Sequence, residues 1–224
     1  SERSRGLGDV YKRQKFNYNF MDISIIETLK LQAENDLFEL LDIIQKWNRK
    51  TDIDSKGAGI YGVLYYQLVR NYRDEIQKNN KTISKEILLS ALADTKAYII
   101  NNFGSIRITL GDFQKLVRGD KELPIWGLPD VITAMSSRPY KDGKHKVTQG
   151  ESYIGLVRFN ENGPILESII SFGNSDNPES DHYTDQMEKY SKFQTKKMTF
   201  DKNIIYSEAK EIYNPCLLYT SDAA

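Results

Sequence analysis

The stretch SYIGLVRFNENGPILESIISF, residues 152–172, holds two apolar runs around one turn. Residues 152–159 alternate, which sets Tyr153, Val157 and Phe159 on one face of a strand, and residues 164–172 are rich in Ile and Leu. Between them stands Asn160-Glu161-Asn162-Gly163. Asn-Gly is a strong short-range hairpin signal, because glycine readily takes the positive φ a tight turn demands. Working outward, residues 137–150 are polar and read as a surface loop, and a further helix is expected over about residues 183–191.

Upstream the period changes. Leu37, Leu40, Leu41, Ile44 and Trp47 recur at helical spacing, with Asn35 or Asp36 as the expected cap. Ile60, Leu64, Leu68 and Tyr72 form a second stripe. Ser84 caps a third helix, with Ile83 and Leu88 placed as a hydrophobic staple and Leu88, Ala91, Leu92 and Ile99 as its buried face. The tyrosines around these stripes read as core and rim packing. Helices followed by strands predict an α+β layered fold, with a helical segment over 15–105 and an antiparallel, strand-rich segment over 106–215.

The charges balance, 31 Lys and Arg against 31 Asp and Glu, so no net field steers nucleic acid or acidic lipid to the chain. No apolar run approaches the roughly 20 residues of a membrane span.

Both ends read as scars rather than native sequence. Asp9-Val10-Tyr11-Lys12-Arg13-Gln14 and the segment from Cys216 to Ser221 can be encoded by reverse complements of one DNA string that resembles the transposon end of a sequencing-library adapter. Residues 1–14 and 216–224 are therefore expected to be adapter-derived, and the gene to have been read from a fragment. The single cysteine, Cys216, falls in the excluded tail, which leaves no disulfide, cysteine nucleophile or cysteine metal site in residues 15–215.

Three local patterns point to chemistry their context does not support. Gly57, Gly59 and Gly62 match the dinucleotide fingerprint, but a polar turn precedes them where that site needs a strand. Asp52, Asp54 and Gly57 open like a calcium loop, yet Lys56 and Val63 occupy positions that must supply ligands. The plainer reading is a turn between helices whose aspartates cap backbone N–H groups. The two histidines, His145 and His182, lie in no zinc spacing. His145 is expected to be solvated in a Lys-rich loop. Ser180, His182 and Asp185 supply the residue types of a Ser-His-Asp triad, which geometry alone would establish.

The most specific stretch runs from Ser171-Phe172-Gly173-Asn174-Ser175-Asp176-Asn177-Pro178 through Glu179-Ser180-Asp181-His182-Tyr183-Thr184-Asp185-Gln186. It resembles the penicillin acylase family, in which two strands lead into a pattern like G-Q-S-G-x-P-x-S-P-H-Y-x-D-Q. Gly173, Ser175, Pro178, Ser180, His182, Tyr183, Asp185 and Gln186 match; Asn174, Asp176 and Asp181 depart from it. Gly111-Asp112-Phe113 and Leu123-Pro124-Ile125-Trp126-Gly127 resemble the family's W-G-D…L-P-x-x-G segment, with Leu110 in place of Trp. Trp47 and the run Asp52-Ile53-Asp54-Ser55-Lys56-Gly57-Ala58 resemble W…D-x-D-S-x-G-A of the branch that includes acyl-homoserine-lactone acylases.

The resemblance implies part of an αββα N-terminal-nucleophile hydrolase. In that family the catalytic chain begins, after self-cleavage of a precursor, with a serine that attacks the amide carbonyl while its own α-amino group serves as base. Backbone N–H groups and an asparagine stabilise the oxyanion, typically by about 3–4 kcal/mol per donor. Serine and asparagine both precede the matched region, so no catalytic residue is assigned here. Gly173, Ser175, Ser180, His182, Tyr183, Asp185 and Gln186 are expected to form scaffold or cleft edge. No cofactor is expected and no metal site is assigned in this chain. The resemblance further implies a periplasmic or secreted location, an acyl-amide substrate such as an acyl-homoserine lactone or a penicillin-like amide, and, as partner, the missing N-terminal part of the same precursor (its α chain and the start of its β chain). The isolated fragment is expected to be inactive. Apolar surface should remain exposed on the helices from Asp36 to Asn101, and strand edges should lie unpaired. The alternative is a complete, non-catalytic α+β binding module with all its apolar faces covered.

Overall fold

The computed structural model describes residues 23–32, 37–78, 83–129, 131, 133–209 and 212. The two end segments read as scars lie outside them, as do Asn35 and Asp36. Helices α1 (Ile23–Gln32), α2 (Phe38–Gln45), α3 (Lys56–Asn71), α4 (Arg73–Lys78) and α5 (Lys85–Phe103) come first. The short helix α6 (Leu110–Phe113) then leads into β1 (Gln114–Arg118).

The helical stripes pack as their spacing requires. Leu40, Leu41 and Ile44 of α2, Ile60, Leu64 and Leu68 of α3, and Leu88, Ala91, Leu92 and Ile99 of α5 enter one apolar cluster with Leu37 and Trp47. Ser84 caps α5, its side chain accepting from the Ile87 N–H at 3.3 Å, and Gly104 ends the helix at φ 71°, the left-handed conformation glycine adopts without strain. Ser55 caps α3, accepting from the Ala58 N–H. It stands between the aspartates and the glycines of the turn.

The strands form two sheets. The first has the order β2-β1-β4-β3, from β1, β2 (Lys121–Pro124), β3 (Met135–Pro139) and β4 (His145–Gly150). The second has the order β5-β6-β7, from β5 (Tyr153–Asn160), β6 (Gly163–Ile170) and β7 (Lys196–Met198). The helices α7 (Met187–Ser191) and α8 (Lys202–Glu208) flank β7 in sequence. The expected hairpin is present, in register from Tyr153↔Ile170 to Asn160↔Gly163, with Gly163 at φ 107°.

Three expectations change. Residues 137–150 are mostly a hairpin, β3 against β4, closed by Tyr140 N–H to the Lys144 carbonyl at 2.8 Å. The signal was hidden because the inward positions are themselves polar: Ser137 and His145 are buried, while Arg138 is exposed beside them. The second half is also not purely antiparallel, since β1 and β4 pair in parallel through Gln114↔His145 and Lys115↔Lys146. The helix expected from about residue 183 begins at Met187, and residues 183–186 belong to a turn.

A second apolar cluster joins the two sheets and includes Leu116, Trp126, Met135, Ile154, Ile169 and Tyr190. Apolar exposure lies where the strands are. Phe38, Val69 and Ile100 show through on the helices, but Tyr153, Val157, Phe159 and Met198 stand open on the second sheet, with Phe200 and Ile205 beyond it.

Candidate functional site

The 173–186 loop leaves the end of β6 and returns to it. The Gln186 N–H donates to the Phe172 carbonyl at 2.8 Å, and the Gln186 side-chain oxygen accepts from the Ile170 N–H at 3.3 Å. Burial of Gln186 makes this amide a bolt rather than a surface group. Across the loop's neck the Ser175 N–H donates to the His182 carbonyl at 3.2 Å. A Cβ on Gly173 would overlap that carbonyl oxygen and lie 2.6 Å from Asp185 Oδ1, so only glycine allows the closure. Ser175 Oγ accepts from the Asn177 N–H at 3.2 Å, and Asn177 Oδ1 accepts from the Glu179 N–H at 3.0 Å. These side chains supply the partners that regular structure would otherwise provide.

His182 and Asp185 meet on the outer side of this loop, Nδ1 to Oδ2 at 3.0 Å, with the imidazole 63% exposed. This pairing favours the tautomer that donates from Nδ1 and turns Nε2 toward solvent. Ser180 Oγ accepts from the His182 backbone N–H at 3.2 Å and makes no bond to the ring. Three residue types that sit together in sequence thus form no serine-imidazole relay in space. No helix starts near His182; α7 begins after Gln186, and Asp185 precedes its first turn.

Arg118, at the end of β1, holds the loop from below. Its guanidinium lies 4.4 Å from the Tyr183 ring centroid and 5.0 Å from that of Phe172, and Nη2 donates to the Ser175 carbonyl at 3.0 Å. Gly119 follows at φ 57°, its Cβ position 3.1 Å from Tyr183. Sequence reading missed Arg118. It sits in an ordinary strand-turn context, and its partners are more than fifty residues away.

The other two motif blocks are built into the same body. Leu110 N–H donates to the Ser55 carbonyl at 3.0 Å, Gly111 N–H to the Ile53 carbonyl at 2.7 Å, and Gly127 N–H to the Thr51 carbonyl at 3.1 Å. Thr109 and Asp112 form a reciprocal capping box over α6. Gly57 and Gly59 lie inside α3, where they make room for the Trp47 side chain and the Thr109 carbonyl; this is helix packing, not a phosphate cradle. Gln114 is wholly buried and donates to the Gly127 carbonyl at 2.7 Å. Trp126 stacks on Phe193 at 4.1 Å and donates to the Tyr190 carbonyl at 3.4 Å, tying the second block to α7 and the residues just after it, which follow the third block. Among the described residues no three His, Cys, Asp or Glu side chains gather as metal ligands.

His145 is corrected from solvated to buried. It is 5% exposed and lies 4.6 Å from both the Tyr66 and the Phe113 ring, with Nδ1 3.3 Å from Ser137 Oγ. Burial, and then the nearby Arg70 charge, lowers its pKa to about 4, so the ring is neutral at pH 7.

A family model described as penicillin amidase matches residues 7–206. An acyl-homoserine lactone acylase PvdQ of Pseudomonas syringae pv. syringae is 38% identical over 101 residues, 44% of this chain and 13% of that protein. The PvdQ of Pseudomonas fluorescens is 29% identical over 131 residues, 57% of this chain and 17% of the relative. A thermostable penicillin G acylase from Alcaligenes faecalis aligns over 86% of this chain and 45% of its own, at 12% identity and a TM-score of 0.39. The chain spans less than a fifth of the length of these two curated relatives. With the family model covering most of its length, the chain belongs to the penicillin amidase family.

Proposed function

We propose that residues 15–215 are the C-terminal part of the catalytic chain of an acylase that hydrolyses an acyl amide, and that the nucleophilic serine and the oxyanion asparagine lie upstream. The observation that carries this reading is the junction of the three motif blocks. Segments far apart in sequence, around Ser55, around Gly111 to Gly127 and around Gly173 to Gln186, bond to one another as one scaffold. In this reading the upstream part of the same precursor packs on the open face of β5, β6 and β7, and the His182–Asp185 pair forms scaffold at the cleft edge. Family resemblance supports a periplasmic or secreted enzyme acting on an acyl-homoserine lactone or a penicillin-like amide. No helix among the described residues is long and apolar enough to cross a membrane.

The test is to recover the upstream coding sequence and express the whole precursor. Self-cleavage ahead of a serine, and amide hydrolysis lost when that serine becomes alanine, are expected. The chain of residues 15–215 alone should turn over no amide. Turnover by that piece, abolished in His182→Ala, would overturn the proposal and place the chemistry in the 173–186 loop.

A further inference from the structure

A cavity of about 170 Å³ opens among α3, α5 and the β3–β4 hairpin, away from the 173–186 loop. Its walls include Val63, Phe113, Pro139 and the ring of His145, with Gln67 as a neutral polar group beside them. The aromatic wall is rigid, because the His145 ring packs between Tyr66 and Phe113 and its Nδ1 is held at Ser137 Oγ. The Tyr66 hydroxyl braces Ser137 in turn, accepting from its N–H at 2.7 Å.

Arg70, near the end of α3, lines the same cavity. Among the described residues it has no carboxylate partner and no hydrogen bond, whereas Arg107 pairs with Glu39 and Arg158 with Glu167. Its charge nonetheless reaches inward: after burial it is the second cause that lowers the His145 pKa, and it opposes the upward push of burial on Tyr98. A fixed apolar slot with one uncompensated guanidinium is a recognition pattern in which the slot takes the body of a ligand and the charge sets its orientation. A guanidinium fits a carboxylate in planar, bidentate geometry. An apolar cavity of about 150 Å³ takes a benzene ring, so this one is large enough for one ring or a short branched chain.

We propose that this cavity is a binding site for a small monocarboxylate, with its carboxylate on Arg70 and its apolar body against Phe113, Pro139 and His145.

The chain has only two histidines, so their ring proton signals report the site directly, with the exposed His182 as internal reference. Benzoate serves as probe and benzamide as its uncharged match. Titrated into the 224-residue chain, benzoate should shift the His145 ring signals saturably and leave those of His182 in place. Benzamide should bind about tenfold or more weakly, the loss expected for a charge-assisted hydrogen bond. Arg70→Gln should weaken benzoate by a similar factor, and Arg70→Lys by less. Arg70 is exposed, so these variants should keep the unliganded His145 signals unchanged. If a variant does not fold, the benzoate and benzamide comparison on the unaltered chain still decides. The proposal is overturned if His145 shows no saturable shift, if His182 moves in parallel, or if removing the charge from either partner leaves the affinity unchanged.

Discussion

Gly173 and His145 show how much one position can depend on neighbours that are remote in sequence. At Gly173 the loop closes so tightly that a methyl group would overlap the His182 carbonyl oxygen. Gly173→Ala should cost about 1–3 kcal/mol, the range for overpacking a closed site, and lower the melting temperature by about 2–4 °C per kcal/mol; calorimetry on both proteins measures it. An unchanged melting temperature would mean that the loop opens freely. At His145 the folded-state pKa lies near 4, below the ordinary 6.5, chiefly because of burial. As pH falls, the unfolded chain therefore takes up the proton first. The contribution is complete above about pH 6.5 and is lost as pH drops toward 4, up to about 3 kcal/mol in all. Urea unfolding between pH 4 and 7 should show this slope, and His145→Phe, which keeps a ring and removes the titration, should flatten it. Gly173 was legible in the sequence because it begins a matched motif. The burial of His145 was not, because the Lys-rich residues around it point outward while its own side chain enters the space between α3 and α6.

At the scale of elements, local signals succeeded where one element supplies its own partners. Ser84 and the stripe Leu88, Ala91, Leu92 and Ile99 describe α5 without reference to anything else, since the cap bonds within one turn and the stripe repeats at the helical period. The same holds for the β5–β6 hairpin, whose register follows from its own turn. Local signals failed at residues 183–186. Helical propensity there yields to two bonds of Gln186, one with Ile170 at the end of β6 and one with Phe172 just beyond it. They failed also at Arg118, which couples the end of β1 to the 173–186 loop through two rings and one carbonyl. Arg118→Ala should remove about 2–4 kcal/mol of loop docking, from two cation–π contacts and one charged hydrogen bond. Hydrogen exchange should register it as faster exchange at Ser175 and Gln186, with little change in α3 or α5. Lysine should restore only part of the protection, because it cannot lie flat between Phe172 and Tyr183. Uniformly faster exchange across the chain would instead mean that Arg118 supports the whole fold.

Over the whole molecule, apolar burial is uneven. The helices leave Phe38, Val69 and Ile100 partly open, while Tyr153, Val157 and Phe159 face outward on the second sheet, Phe159 at 82% exposure. Phe159→Ser should therefore change the stability of this chain by no more than about 0.5 kcal/mol, as for other exposed positions, and reduce its self-association in sedimentation velocity. A large loss of stability would show that Phe159 is packed in solution. The expectation of exposed apolar surface on the helices between Asp36 and Asn101 holds at Phe38, Val69 and Ile100, but it left out the larger exposure on the second sheet. Helical stripes can bury against one another within a single cluster, whereas a sheet has two faces and this one packs only one of them against the body of the chain. The sequence alone determined the α+β class, the helical stripes and the Ser84 cap, the central hairpin and the three family blocks, because each rests on periodicity, turn chemistry or residue identity over a short span. Tertiary structure alone decided that these blocks bond to one another, that His145 is buried and neutral, that His182 meets Asp185 and not Ser180, and that Arg118 holds the loop. Each of those outcomes depends on distances between residues far apart in the chain, which the packing of apolar faces sets and no local pattern encodes.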